Sequence, residues 1–218
     1  LRMLGIMKKD FFETFCIKKN LIEFVFGIVA LVICFILMPS KYITMLIVAL
    51  LVPLMSVSPL QYSIERDEIS KFDQILMTFP ISKKTIVATK FLETYIFALI
   101  CFLGMSLPIV LLAIYYYSVL TLQEGILLLL ISLIFSLIVL PILNVGFMTL
   151  GNKKGLIIYV IISLLFGICY IAIGFMFGVE QLLRISLYRW LIYGGLVALI
   201  SNILGYFICL KIYDKKHS

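Results

Sequence analysis

The sequence predicts an all-α fold: one polytopic membrane domain over residues 1–218 with six transmembrane helices. Its composition is that of a membrane protein, because hydrophobic residues make up 64% of the chain, mean hydropathy is +1.21 and charged residues make up only 13%. An ordinary soluble domain carries roughly 25% charged residues. The chain also contains six long runs that are nearly free of charge, and a helix needs about 20 apolar residues to cross a bilayer.

An amphipathic segment at about residues 3–18 precedes the first long apolar run. Apolar side chains recur there at helical spacing, and charged side chains occupy the other side of the helix. We expect an elbow helix along the inner leaflet of the membrane. The alternative is a solvated cytoplasmic helix, which would expose its phenylalanines to water. The apolar stripe consists of Leu4, Met7, Phe11 and Phe15, and the side facing away carries Lys8, Lys9 and Glu13.

The six predicted spans contain few charged residues. Glu23 in the first span and Glu93 in the third are expected at headgroup depth or against protein, since a carboxylate at mid-bilayer is costly. The third run is longer than a bilayer requires, so its first turns, with Lys90 and Glu93, can lie at or outside the membrane surface. We expect no cleaved signal peptide, because no A-x-A-like site follows Met38. The spans cover about residues 21–38, 42–64, 86–117, 122–150, 156–179 and 190–210.

The distribution of basic residues predicts the topology. Of the 18 lysines and arginines, all but Lys41, Arg184 and Arg189 lie on one side of the predicted spans. Basic residues accumulate on the cytoplasmic side of membrane proteins, so both termini are expected in the cytoplasm. The net charge of +7 is explained by this bias and by attraction to anionic lipid, and it does not indicate nucleic-acid binding.

The longest charged segment lies between the second and third spans and predicts a short amphipathic helix at about residues 67–79. Pro80 ends this helix, and Ser82 is a candidate N-cap for the next one. A helix of this kind outside the membrane is suited to dock in the groove of a partner protein. The alternative is a helix that floats in the membrane interface. Its apolar positions are Ile69, Phe72, Ile75 or Leu76, and Phe79; Glu68, Lys71 and Asp73 lie elsewhere on the helix.

Catalytic and metal chemistry have few candidate groups in this sequence. The only histidine, His217, lies in the C-terminal tail, and the five cysteines are scattered without C-x-x-C spacing. The sequence has no phosphate-binding loop, no H-E-x-x-H motif and no serine–base signature. We therefore expect no enzyme activity, metal site or cofactor in this chain.

Polar residues toward the cytoplasmic end of the second span could line the entrance of a transport pathway. They could equally hydrogen-bond to their own helix backbone and have no further role. Apolar walls for a pathway would come from phenylalanines that are equally suited to face lipid. Prolines within the spans predict kinks that would permit helix movement. The polar candidates are Ser56, Ser58 and Gln61, the phenylalanines are Phe24, Phe35 and Phe166, and the prolines are Pro53, Pro59, Pro108 and Pro141.

The segment from Glu65 to Lys90 resembles the ABC-2 type permeases, the membrane subunits of ATP-binding-cassette exporters. The shared pattern is an acidic start, a short helix that ends before a proline, and a Ser-Lys-Lys-x-Ile-Val-x-x-Lys stretch that begins at Ser82. Phe79 stands where the family usually has leucine. In outline the resemblance covers the whole chain: an elbow helix, six spans with both ends inside, and a coupling helix between the second and third spans, as in type V ABC exporters.

This resemblance implies that the coupling helix docks on a separate cytoplasmic ATPase, which binds ATP and Mg and performs the hydrolysis. Two permeases, identical or close paralogues, would form the pathway between them in a bacterial cell membrane. The residues implied in ATPase binding are Glu65, Glu68, Phe72, Asp73, Leu76, Phe79, Pro80 and Lys83.

The compact size of the chain is most similar to permeases that export phenol-soluble modulins, which are amphipathic peptides of Gram-positive bacteria. The expected cargo is therefore an amphipathic peptide or a lipid-like molecule. The alternative function is that of a non-transporting integral membrane immunity or scaffold protein. An intramembrane CAAX-type protease would require paired glutamates and membrane histidines, and the sequence has only the histidine of the tail.

Overall fold

The computed structural model describes residues 2–79, 81–176, 178, 181, 183 and 186–216, and no strand occurs among them. Five of its helices are long and apolar enough to cross a membrane: α2, α3, α5, α6 and α7, as judged by length and composition. Two shorter helices, α1 and α4, accompany them. The helices are α1 (Arg2–Phe15), α2 (Lys18–Leu37), α3 (Lys41–Ser70), α4 (Phe72–Thr78), α5 (Lys83–Tyr115), α6 (Leu122–Met176) and α7 (Leu187–Lys215).

Helix α6 folds back on itself near its middle. At 55 residues it would be about 80 Å long if straight, which is more than twice the thickness of a bilayer core. Gly151 breaks it with a φ of 81°, a value that favours glycine. A Cβ atom added at Gly155 would lie 2.9 Å from the Cα atom of Phe147, and the rings of Phe135 and Phe166 are 4.7 Å apart.

These contacts place the two halves of α6 side by side as an antiparallel pair. The halves correspond to the fourth and fifth spans that the sequence predicts, at 122–150 and 156–179. Because Gly155 lacks a Cβ atom, the two backbones can approach each other closely. Six membrane crossings therefore stay a prediction, which the α6 hairpin supports.

Two of the span prolines follow a π-helical turn. Proline cannot donate a backbone hydrogen bond, so a regular helix would lose one bond at Pro53 and one at Pro108. In each case the preceding residue donates to the carbonyl five residues earlier: Val52 to Ile47, and Leu107 to Phe102. This wider turn absorbs the irregularity inside α3 and α5.

Contacts between helices join helix ends that the topology prediction places on the same side of the membrane. Lys41 of α3 pairs with Glu124 of α6 at 2.7 Å, at one end of the bundle. At the other end Lys83 of α5 lies 3.9 Å from Asp214 of α7, and the backbone N–H of Asn152 donates to Glu68 over 2.8 Å. We call this second end, which also carries α1, the basic end.

Helix α3 lies at the centre of the bundle. Of its most apolar 18-residue stretch, 72% of residues are buried, against 17% for the corresponding stretches of α2 and α7. The apolar surfaces of α2 and α7 are thus largely exposed, which is the pattern expected for helices that face lipid or another protein.

The predicted coupling helix differs from the structure in one respect. The sequence predicts one helix over about residues 67–79, but α3 extends to Ser70 and α4 starts at Phe72. Lys71 separates them with a φ of 52° and a ψ of 34°, a left-handed conformation that ends a helix. After α4, the side chain of Ser82 accepts a hydrogen bond from the backbone N–H of Thr85 over 3.2 Å, so the predicted N-cap of α5 is confirmed.

Candidate functional site

Helix α1 contacts the bundle through a face that the sequence did not predict. Ile6, Asp10 and Thr14, four residues apart, are all buried, and Asp10 is only 2% exposed. Phe11 stacks on Phe97 of α5 with ring centroids 4.5 Å apart. The helix is therefore packed on protein along one side, and its position along the inner leaflet stays a prediction. Lys9 and Glu13, which were expected to face away, take part in ion pairs that face inward.

A buried set of ion pairs attaches α1 to α3 and α5. The Lys90 Nζ atom lies 2.5 Å from Asp10 Oδ2 and 3.2 Å from Asp67 Oδ2, and it also donates to the Ser63 hydroxyl. Lys9 Nζ lies 3.3 Å from Asp10 Oδ1 and pairs with Asp67 as well. We call these residues the anchor cluster: Lys9, Asp10, Glu13, Asp67 and Lys90.

Two charged residues of α5, Lys90 and Glu93, are buried against protein. Lys90 is 3% exposed and Glu93 is 4% exposed, which agrees with the expectation that Glu93 lies at headgroup depth or against protein. The buried ammonium group of Lys90 is stabilised by the two carboxylates and the hydroxyl that surround it.

The charges of Asp10 and Lys9 in the cluster are reinforced by their neighbours. Burial alone would raise the pKa of the Asp10 carboxyl, but the Lys90 ammonium, the Glu93 side chain and Lys9 together hold that pKa below its usual range. Burial alone would lower the pKa of Lys9, but Asp67 and Asp10 raise it above its ordinary value. Both groups are thus charged at neutral pH, and each depends on its partners for a favourable environment.

Three carboxylates of the cluster are arranged as metal ligands often are. Oxygen atoms of Asp10, Glu13 and Asp67 lie within 4.8 Å of one another. The Lys9 ammonium group contacts all three carboxylates, at 3.3 Å from Asp10, 3.0 Å from Glu13 and in an ion pair with Asp67. Lys9 thus supplies the positive charge that a cation would otherwise bring.

Helix α4 is held against the basic end by one side and exposes the other. Leu76 is 3% exposed and belongs to the apolar core, together with Leu60 and Ile86. Ile75 and Phe79 are 47% and 53% exposed. We call Ile75 and Phe79 the docking face.

This arrangement changes the predicted ATPase contact. Leu76 is buried within the chain, so its side chain is not available to a partner, and Phe72 is half-buried beneath Lys9 Nζ, which lies 4.3 Å from its ring centroid. Phe79 is the one of the three predicted apolar contacts that is exposed. Pro80 and the side chain of Asp73 lie outside the described residues.

The charged residues predicted around the docking helix make contacts within the chain. Glu65 lies 3.7 Å from Lys19 Nζ, Glu68 accepts the hydrogen bond from Asn152, and Lys83 is near Asp214. Glu68 is still exposed at the surface beside α4. These contacts connect neighbouring helices at the basic end, whether or not the side chains also contact a partner.

The predicted pathway residues lie in different surroundings. Ser56 is 1% exposed and its hydroxyl donates to the Pro53 carbonyl over 2.6 Å, which is the backbone role left open by the sequence. Phe24 and Phe35 are buried in the core of the chain, and Phe166 packs on Phe135. Ser58 and Gln61 are partly exposed.

A family model described as "ABC-2 family transporter protein" matches residues 5–214 of the chain. Searches against curated proteins and against solved structures gave no significant match.

Proposed function

The chain belongs to the ABC-2 transporter family, whose model covers residues 5–214, and on this premise we propose that it is the permease subunit of an ATP-binding-cassette exporter. It is a multi-pass membrane protein, and its family consists of membrane transport components. In the proposed complex a separate cytoplasmic ATPase binds ATP and Mg. Two copies of the permease, or this chain and a close paralogue, form the pathway in a bacterial cell membrane.

The observation that carries this proposal is the exposed side of α4. Ile75 and Phe79 are exposed outside the bundle, and Glu68, near the end of the preceding helix α3, is exposed as well. Ile75 lies on α4 and Phe79 is the residue that directly follows its last residue, Thr78. Exposed apolar side chains on and beside a short helix are suited to enter a groove of a partner protein. The opposite side of α4 is fixed to the permease by Leu76, so a force on the docking face would reach α3 and α5.

The proposed topology has six spans and places the basic end in the cytoplasm. Cysteines introduced at Ser118 or Gln181 are then expected to react with an impermeant maleimide on intact cells, while a cysteine at Lys153 is not. The exposed Cys16, Cys34 and Cys169 are replaced first, and the buried Cys101 and Cys209 are kept. Labelling at Lys153 in intact cells would invert the orientation, and labelling only after permeabilisation is the control that the site is reactive.

The cargo we propose is an amphipathic peptide, such as a phenol-soluble modulin or an antimicrobial peptide, or a lipid-like molecule. The charged groups near the inner ends of the spans are engaged with one another in the anchor cluster. The exposed surfaces of the membrane helices are apolar, including Phe26 at 73% and Phe175 at 89% exposure. A hydrophilic solute would lose its water on such surfaces without gaining partners.

This cargo class and the transport function are tested together in proteoliposomes that contain the permease and the ATPase that co-purifies with it. An amphipathic helical peptide is expected to stimulate ATP hydrolysis severalfold, because it partitions to the apolar surface from which it would enter. The matched control is a peptide of the same composition with a scrambled, non-amphipathic order. Stimulation by sugars or free amino acids, and not by the amphipathic peptide, would contradict the proposal.

A further inference from the structure

Helix α4 is too short to hold its own position. It has seven residues, and isolated helices shorter than about 12 residues are marginal in water. It is also separated from α3 by Lys71, whose left-handed backbone interrupts the helical hydrogen bonding. The direction in which the docking face points must therefore be set by side-chain contacts with the rest of the chain.

One such contact comes from α1. The Lys9 Nζ atom lies 4.3 Å from the centroid of the Phe72 ring, at the first residue of α4. The same ammonium group pairs with Asp67 in the last turns of α3 and with Glu13 at 3.0 Å. Lys9 thus joins α1, α3 and α4 across the break at Lys71. The cation–π contact is favourable because the ammonium lies over the negative face of the ring and is partly withdrawn from water.

Helix α1 provides a fixed base for this contact. Asp10, the residue after Lys9, pairs with the buried Lys90 of α5 at 2.5 Å, and Phe11 stacks on Phe97 of the same helix. The side-chain amide of Asn20 in α2 donates to the Glu13 carbonyl over 2.9 Å. Because both α2 and α5 hold α1, the Lys9 side chain starts from a defined point on the bundle.

We propose that Lys9 is a positioning residue for α4: its contacts with Phe72 and Asp67 set the orientation in which Ile75 and Phe79 are exposed. The inference rests on the proposed function only in taking α4 as the helix that docks on the ATPase. In this arrangement α1 supports α4 from within the permease.

The experiment measures amide hydrogen exchange of the full-length permease in nanodiscs, without ATPase. Lys9→Met keeps the length of the side chain and removes its charge, and exchange in residues 73–79 is expected to become about fivefold faster or more. Exchange in residues 42–64 of α3 is expected to stay unchanged. Lys8→Met is the matched control, because Lys8 is the neighbouring residue and is exposed. Lys9→Arg is expected to restore protection, since arginine retains both the charge and the contact with the ring.

Unchanged exchange in residues 73–79 of Lys9→Met, or an equal increase in Lys8→Met, would overturn the inference. If Lys9→Met also loses protection throughout α3, Phe72→Leu decides the question. That variant leaves the ion pairs of Lys9 intact and removes the ring, so residues 73–79 alone are expected to exchange faster, and unchanged exchange would again overturn the inference.

A second arm separates this inference from the proposed function. The affinity of the co-purifying ATPase for the Lys9→Met permease is expected to fall severalfold. Faster exchange in α4 with unchanged ATPase affinity would support the positioning role of Lys9 and contradict docking through α4. Unchanged exchange with reduced affinity would overturn the positioning role and leave the docking proposal standing.

Discussion

Replacing Lys90 by methionine is expected to destabilise the permease by about 3–5 kcal/mol, the cost typical of removing one member of a buried ion pair. The loss arises because Asp10 would keep its charge without its closest partner, and Asp67 would keep its ion pair with Lys9 but lose the one with Lys90. The measurement is thermal unfolding of the purified protein in detergent. Lys84→Met is the matched control, since Lys84 lies on the same helix and is exposed.

A double variant tests whether the unpaired charge is the cause. Adding Asp10→Asn to Lys90→Met removes the stranded carboxylate and leaves the Lys9–Asp67 pair in place, so a large part of the loss is expected to return. If the double variant is as unstable as the sum of the two single variants, Asp10 and Lys90 do not depend on each other. A Lys90→Met protein with wild-type stability would contradict the assignment of the anchor cluster.

The contacts of the anchor cluster could not be predicted from the sequence. The pattern of Leu4, Met7, Phe11 and Phe15 predicted a helix at the N-terminus, and α1 is a helix. It did not reveal that Asp10 faces inward, because the partner of Asp10 lies 80 residues further along the chain. An acidic residue between Ile6 and Thr14 on one face of a helix indicates a buried ion pair only when its basic partner is known.

The docking helix shows a different reason for an incomplete prediction. Helical spacing over residues 67–79 selects Phe72 and Phe79 together with Ile75 or Leu76, if the helix is continuous. The left-handed Lys71 interrupts it, so positions before and after Lys71 no longer share one helical face. Which of Ile75 and Leu76 is exposed then depends on how α4 packs. Leu76 is the one that is buried in the apolar core at the basic end.

The position of the turn in the α6 hairpin could be predicted from the sequence. Lys153 and Lys154 end a long apolar run and mark a boundary that hydropathy detects. The tightness of the turn was not predictable in the same way, because it depends on the positive φ of Gly151 and on Phe147 packing at Gly155. Composition thus locates the spans, while the packing of glycines decides how closely neighbouring spans approach.

Replacing Ile75 and Phe79 together by glutamine is expected to release the ATPase from the permease. Burying each large apolar side chain in a groove is worth about 1.5–3 kcal/mol, so losing both would weaken the Kd by about 100-fold or more. The fold is expected to survive, because both side chains are already exposed. The measurement is ATPase binding to the purified permease, with thermal unfolding recorded for each variant.

Two control variants make the result specific. Tyr116→Gln with Leu122→Gln changes two exposed apolar residues at the opposite end of the bundle, and ATPase binding is expected to remain at the wild-type level. Leu76→Gln introduces a polar group into the core, so it is expected to lower the thermal stability of the permease itself, because a buried amide without partners is costly. Wild-type ATPase affinity in a stably folded Ile75→Gln, Phe79→Gln protein would mean that the ATPase docks on another surface.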